Sequence, residues 1–211
     1  MKWTALVVVL LLVGAFGVLS YLAGSPKDAY GMVRYALPQM RGGELKVGDA
    51  APDVELLALD GQSRFRLRER VGRKPLVLIF GSYTCPPFRR QVGDLVRMYE
   101  RFGDRADFLT VYIREAHPDD EWQMQPKTLE QRVAIANDFT RRFKFPLPLA
   151  VDAMDDTANR AYAAWPERLY VIETDGRIAY KGGVGPFDYK PAEVHAWLEA
   201  HFPDGVSQPS P

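Results

Sequence analysis

The chain of 211 residues predicts an α/β fold, a mixed central sheet flanked by helices, with an N-terminal transmembrane helix ahead of it. Three features carry that expectation. The chain begins with an uncharged apolar segment. Two buried-strand runs are each followed by residues of helical periodicity. A strand–turn–strand pair then precedes a last amphipathic segment.

From Trp3 to Pro26 there is no charged residue, and Ala5 to Leu22 is almost wholly Val, Leu, Gly and Ala. About 20 apolar residues suffice for a helix to cross a bilayer. A cleaved secretory signal has a shorter apolar core, about 7–15 residues, and ends in a small-x-small site. Ser20 to Ser25 matches that site poorly, so residues 3–24 are expected to form an uncleaved anchor. Lys2 lies before the segment and Lys27, Arg34 and Arg41 after it, which leans towards an inward-facing body. Amino-terminal signal anchors commonly send the body outward, so the side of the soluble domain stays open. A lone cysteine permits no internal disulfide and does not identify the compartment.

Residues 25–47 mix Gly, Pro, Tyr and Arg without periodicity and are expected to form a linker with one short helix. The domain follows over residues 48–203. Residues 204–211, rich in Pro, Ser and Gly, are expected to be a flexible tail. Val54 to Leu59 and Phe65 to Leu67 flank Asp60-Gly61, a hairpin signal. Leu76 to Phe80 is a continuous apolar run, hence a buried strand. Val92, Leu95, Val96, Tyr99 and Phe102 then recur at helical spacing. Phe108 to Ile113 is a second buried strand, followed by a polar loop from Arg114 to Lys127. Leu129, Val133, Ala136, Phe139 and Phe143 mark another helix face. Leu149 to Val151, Ala158 to Ala164, a hairpin around Asp175-Gly176 and a helix opened by Pro191 complete the order.

Acidic and basic residues balance at 27 each with no basic stripe, which excludes nucleic acid as a partner. One cysteine and three scattered histidines lack metal-ligand spacing, so no metal site is expected.

The single cysteine lies in Phe80-Gly81-Ser82-Tyr83-Thr84-Cys85-Pro86-Pro87-Phe88, between the buried strand and the helix after it. A thiol there faces the amino end of a helix, whose dipole and N–H groups favour the thiolate. Thiolate is the nucleophilic form, although most free cysteines are simply small buried hydrophobes. Parallel strands with helical crossovers and a terminal antiparallel pair describe the thioredoxin-like arrangement. In it a nucleophilic cysteine opens the helix after the first central strand, and a cis-proline precedes the final hairpin. Cys85 and Pro166 occupy those two places.

The Cys85 segment resembles the active-site segment of the iodothyronine deiodinase family. So do Asp107-Phe108-Leu109 continuing through Val111 to Pro118, with Trp122 shortly after. A third similar block comprises Ala161-Tyr162, Glu167-Arg168-Leu169-Tyr170-Val171-Ile172, Gly182-Gly183-Val184-Gly185-Pro186 and Trp197-Leu198-Glu199. The resemblance implies a membrane-tethered, dimeric thioredoxin-fold oxidoreductase that removes iodide from iodinated thyronines with selenocysteine and a thiol co-substrate. It puts Cys85 in the place of the selenium nucleophile, with Glu115 and His117 as an acidic–histidine pair. It assigns Arg168 to holding substrate and Ser82 and Thr84 to hydroxyls beside the nucleophile, with Pro166 opposite.

His117 has the unperturbed pKa, about 6.5, that suits a proton donor near neutrality. Glu115 could orient it or relay a proton. Three departures bear on the resemblance. Sulfur replaces selenium. Tyr83 and Phe88 stand where relatives or thioredoxins carry a second cysteine. Pro126 follows Gln125 where the family has a histidine. With no resolving thiol in the chain, an oxidised Cys85 must be reduced from outside by a thiol of glutathione or thioredoxin type, and no bound cofactor is expected. Two other readings stay open: a one-cysteine peroxidase and a non-catalytic tethered binding module. His195 and His201 are expected to be structural or exposed. Trp122 and Trp165 could stack on an aromatic substrate or pack in the core or a lid, and Asp119, Asp120 and Glu121 read as a solvated face.

Overall fold

The computed structural model describes residues 2–23, 25–31, 33, 42–118, 124–185 and 188–203. The chain forms two compact units, residues 1–40 and 41–211. In the first, helix α1 (Lys2–Ala23) is followed by the short α2 (Pro26–Gly31). The stretch Trp3–Tyr21 has a mean hydropathy of 2.4, and its side chains are unburied within the protein. That helix is long and apolar enough to span a bilayer.

The second unit is built on a seven-stranded sheet. Its strands are β1 (Glu55–Ala58), β2 (Arg64–Arg66), β3 (Leu76–Gly81), β4 (Asp107–Tyr112), β5 (Leu149–Val151), β6 (Arg168–Ile172) and β7 (Ile178–Lys181). Their order is β2-β1-β5-β4-β3-β6-β7. β4 lies between β3 and β5 and runs parallel to both, β6 runs antiparallel to β3, and β7 antiparallel to β6.

β3 is buried along its whole length, which is why it reads as an unbroken apolar run with no alternation. The helical segments are α3 (Pro86–Arg90), α4 (Val92–Phe102), α5 (Leu129–Phe143), α6 (Thr157–Tyr162) and α7 (Pro191–His201). Right-handed crossovers from β3 to β4 and from β4 to β5 step the same way across the sheet. Both therefore drop their helices, α4 and α5, on one face. There Leu95, Met98 and Phe102 join Ala136 and Phe139, with Val194 and Leu198 of α7, over Val77, Ile79, Leu169 and Val171. On the opposite face Tyr162 of α6 packs against Phe80 and Tyr170, with ring centroids 5.2 and 5.1 Å away.

The helix expected after Cys85 is broken at Gln91 into α3 and α4. Its buried face also differs slightly, because Met98 turns inward while Val96 and Tyr99 are only partly covered. The expected tail, 204–211, and the acidic run Asp119-Asp120-Glu121 lie outside the described residues.

Candidate active site

Cys85 is placed by β3. The strand ends at Gly81, the chain turns with the Cys85 N–H donating to the Ser82 carbonyl at 3.2 Å, and Cys85 caps α3. Gly81 is required by close packing, since a Cβ there would lie 2.5 Å from the Phe88 ring.

The thiol is 1% exposed and donates to Glu167 Oε2 at 2.6 Å. Burial, the Glu167 charge and that hydrogen bond all raise its pKa well above the ordinary thiol value. This corrects the expectation of a thiolate held by a helix terminus. α3 is only five residues long, and its first two, Pro86 and Pro87, carry no N–H. The Phe88 N–H remains as a donor towards sulfur, and it does not offset burial beside a carboxylate.

Glu167 immediately follows Pro166, and the Trp165–Pro166 peptide is cis as the fold predicts. Burial raises the Glu167 carboxyl to about 7, against the lowering effects of the Cys85 hydrogen bond and the Arg90 and Arg168 charges. Residue-type and spacing arguments passed over Glu167. The signal that could have found it is its place beside Pro166, which the fold sets against the cysteine turn.

A second polar cluster ties the loop after β4 to the cysteine turn. Glu115 is 2% exposed and accepts from the Thr84 N–H at 2.9 Å, from Thr84 Oγ1 at 2.7 Å and from the Tyr112 hydroxyl. Burial raises its pKa, opposed by these donors and by Arg132. The Tyr112 hydroxyl in turn accepts from the Tyr83 N–H at 3.0 Å. The His117 N–H donates to Thr84 Oγ1 at 3.0 Å and the Ala116 N–H to Ser82 Oγ at 3.2 Å. Gln125 Oε1 accepts from the Glu115 N–H at 2.9 Å.

The structure therefore gathers Cys85, Glu115, the His117 backbone, Ser82, Thr84 and Pro166 at one end of the sheet. It also changes several expected assignments. Ser82 and Thr84 are buried and spend their hydroxyls on the loop, and Pro166 is buried as well. Arg168, expected to hold a substrate group, is 1% exposed and donates from Nη1 to the Gly42 carbonyl at 2.7 Å. In the β6 register it shares the face of Tyr170, opposite Leu169 and the core that holds Cys85.

Trp165 is buried and its Nε1–H points to the Glu115 carbonyl at 3.4 Å, a packing role. Trp122 lies outside the described residues. His195 stacks edge-on to Phe102 and sits 3.6 Å from Glu199, and His201 stacks on Trp197, so both are structural. Among the described residues no cluster of three or more His, Cys, Asp or Glu could hold a metal ion.

A sheet with this order, a cysteine at the mouth of its central strand and a cis-proline opposite define the class of thioredoxin-fold proteins. Solved structures agree. The chain superposes on an uncharacterized conserved protein from Geobacillus kaustophilus with TM-score 0.59 and 18% identity, over 75% of this chain and 82% of that one. It superposes on the thioredoxin domain of a thiol-disulfide oxidoreductase from Bacteroides vulgatus with TM-score 0.55 and 16% identity, over 75% and 99%.

Within that class, the family profile "Iodothyronine deiodinase" matches residues 33–202, and the chain belongs to this family. It is 43% identical to a thyroxine 5-deiodinase from Gallus gallus over 74% of this chain and 63% of that protein. It is 38% identical to a type I iodothyronine deiodinase from Xenopus laevis over 74% and 64%. A type II iodothyronine deiodinase from Rattus norvegicus is 39% identical over 75% and 70%. The chain thus spans less than two thirds of the length of the first two relatives.

Proposed function

We propose that this chain is a membrane-anchored, thiol-dependent oxidoreductase that removes halogen reductively from an aromatic substrate, with Cys85 as the nucleophile. The observation that carries this reading is the Cys85 sulfur at the carboxyl end of β3, hydrogen-bonded to a carboxylate at 2.6 Å. Two relatives are named for deiodination of thyroxine or iodothyronines, which points to an aryl halide as the substrate class. Thyroid hormone itself is disfavoured by Pro126, which offers no polar side chain where the family resemblance calls for a histidine.

In the reaction sulfur bonds to the halogen, the carbon–halogen bond breaks, and the aryl carbon takes a proton, for which His117 is the candidate donor. One external thiol then releases halide and leaves a mixed disulfide on Cys85. A second thiol restores Cys85 as the mixed disulfide exchanges to a free one. The net change converts aryl halide and two thiols into arene, halide, a proton and one disulfide. Because Sγ is 1% exposed, bond formation requires local opening of the side chains packed around it. A single-pass topology through α1 is supported by that helix's length and apolarity, and homodimerisation by the family resemblance alone.

Halide release from iodinated and brominated phenols with dithiothreitol or glutathione tests the reading. Cys85→Ser should abolish release, and residual release at the wild-type rate would overturn it. His117→Ala should lower turnover while leaving Cys85 alkylation intact, and unchanged turnover would remove the imidazole from the reaction.

A further inference from the structure

Glu167 stands next to Cys85 with half of its carboxylate uncommitted. Oε2 accepts the thiol proton at 2.6 Å, while Oε1, also buried, has no hydrogen-bond partner among the described residues. The Tyr189 hydroxyl is likewise buried without such a partner, and lies within electrostatic reach of both Glu167 and Cys85. Gly185 lies so close that a Cβ there would fall 1.6 Å from Oε1, so the loop before α7 backs directly on the carboxyl. A buried carboxylate is costly unless its charge is used or paired, and this one is hydrogen-bonded directly to a thiol that can give up its proton.

We propose that Glu167 is a catalytic residue which takes the Cys85 proton as the sulfur forms its bond and returns it when Cys85 leaves the mixed disulfide. The assignment deepens the dehalogenation reading and rests on it for the identity of the electrophile. In the first step the S–H bond breaks, the proton moves to Glu167 Oε2, and the S–H electron pair forms the sulfur–halogen bond. The carbon–halogen pair leaves with carbon, which is protonated by His117. In the last step an external thiolate attacks the mixed disulfide. The Cys85 sulfur departs with the S–S pair and recovers its proton from Glu167. The external thiol supplies the reducing electrons throughout.

The groups that act on the carboxyl are Cys85 through its hydrogen bond, the charges of Arg90 on α3 and of Arg168 on the opposite face of β6, and Tyr189 ahead of α7. Both arginines favour its charged form, and burial opposes it.

The test is iodoacetamide modification of the full-length chain from pH 5 to 10, read by mass spectrometry, since Cys85 is its single cysteine. The wild-type rate should inflect near pH 7, where Glu167 titrates. In Glu167→Gln that inflection should vanish, and the rate should rise only above the ordinary thiol range, near pH 8.5, falling about tenfold at pH 7. Glu167→Asp keeps the charge and should retain an inflection near neutrality, which separates loss of a base from loss of packing. Coincident profiles for wild type and Glu167→Gln, or identical behaviour of the Gln and Asp variants, would overturn the assignment to Glu167. Halide release measured on the same samples keeps the two readings apart: these profiles without any release would sink dehalogenation and leave Glu167 as the base of the thiol.

Discussion

At the residue scale, Glu167 makes the fold itself sensitive to pH. Burial lifts its carboxyl to about 7 in the folded chain, while an unfolded glutamate titrates near 4.3. Between those values the folded state holds more protons than the unfolded state. Stability from this group is therefore complete below about pH 4 and is lost as pH rises through 7. A shift of that size is worth roughly 4 kcal/mol in full. Glu115 is raised by burial too and acts in the same direction, so the wild-type curve alone does not isolate Glu167. Urea unfolding of wild type and Glu167→Gln at pH 5 and pH 8 does. The wild type should lose more stability over that interval, by roughly 3 kcal/mol. Equal losses in both chains would place the Glu167 carboxyl in water.

At the element scale, the active end of the sheet depends on two close joints. One is Thr84, whose hydroxyl donates to Glu115 and accepts from the His117 N–H. Thr84→Val keeps the shape but leaves buried polar groups unpaired, at about 1–3 kcal/mol each. It should lower the urea midpoint and reduce halide release more than it reduces Cys85 alkylation at high pH. The other joint is Gly185. Its φ is not positive, so alanine suits the backbone, but the new methyl would occupy the place of the Glu167 carboxyl. Gly185→Ala should therefore displace Glu167 from Cys85 and reproduce the alkylation profile of Glu167→Gln in a chain that still unfolds cooperatively. A retained inflection at neutrality would show that the carboxyl can move without leaving the sulfur.

These joints mark what the sequence could and could not carry. β3 and β4 were legible because strands buried on both faces are continuous apolar runs, β6 because Asp175-Gly176 marks a hairpin after it, and α4, α5 and α7 because their inner faces keep helical spacing. The charge state of Cys85 was misread because a helix terminus was credited with amides that Pro86 and Pro87 lack. Glu167 was passed over because its partner is 82 residues away, and no local pattern encodes a contact of that separation. Arg168 was assigned to a substrate group by family resemblance alone, and no local pattern showed that it would be buried against the Gly42 carbonyl.

At the scale of the whole molecule, the anchor and the thiol unit divide the physics between them. α1 has 22 residues, about 33 Å of helix at 1.5 Å per residue, against a bilayer core of about 30 Å. The apolar side chains over Trp3–Tyr21 are unburied, so lipid is the environment that would cover them. The unit beginning at residue 41 carries its own sheet and core, with Cys85 within that core. Charges placed mid-helix should therefore act on location alone. Val9→Arg with Leu12→Arg adds about 2.5–3.5 kcal/mol per substitution to the free energy of insertion. Wild-type chain should stay with membranes through a carbonate wash, whereas the double variant should appear in the soluble fraction. Its Cys85 alkylation profile in detergent should match that of wild type. A double variant that resists the wash would show that the chain is held to membranes by something other than α1. A changed alkylation profile would show that the thiol unit depends on the helix ahead of it.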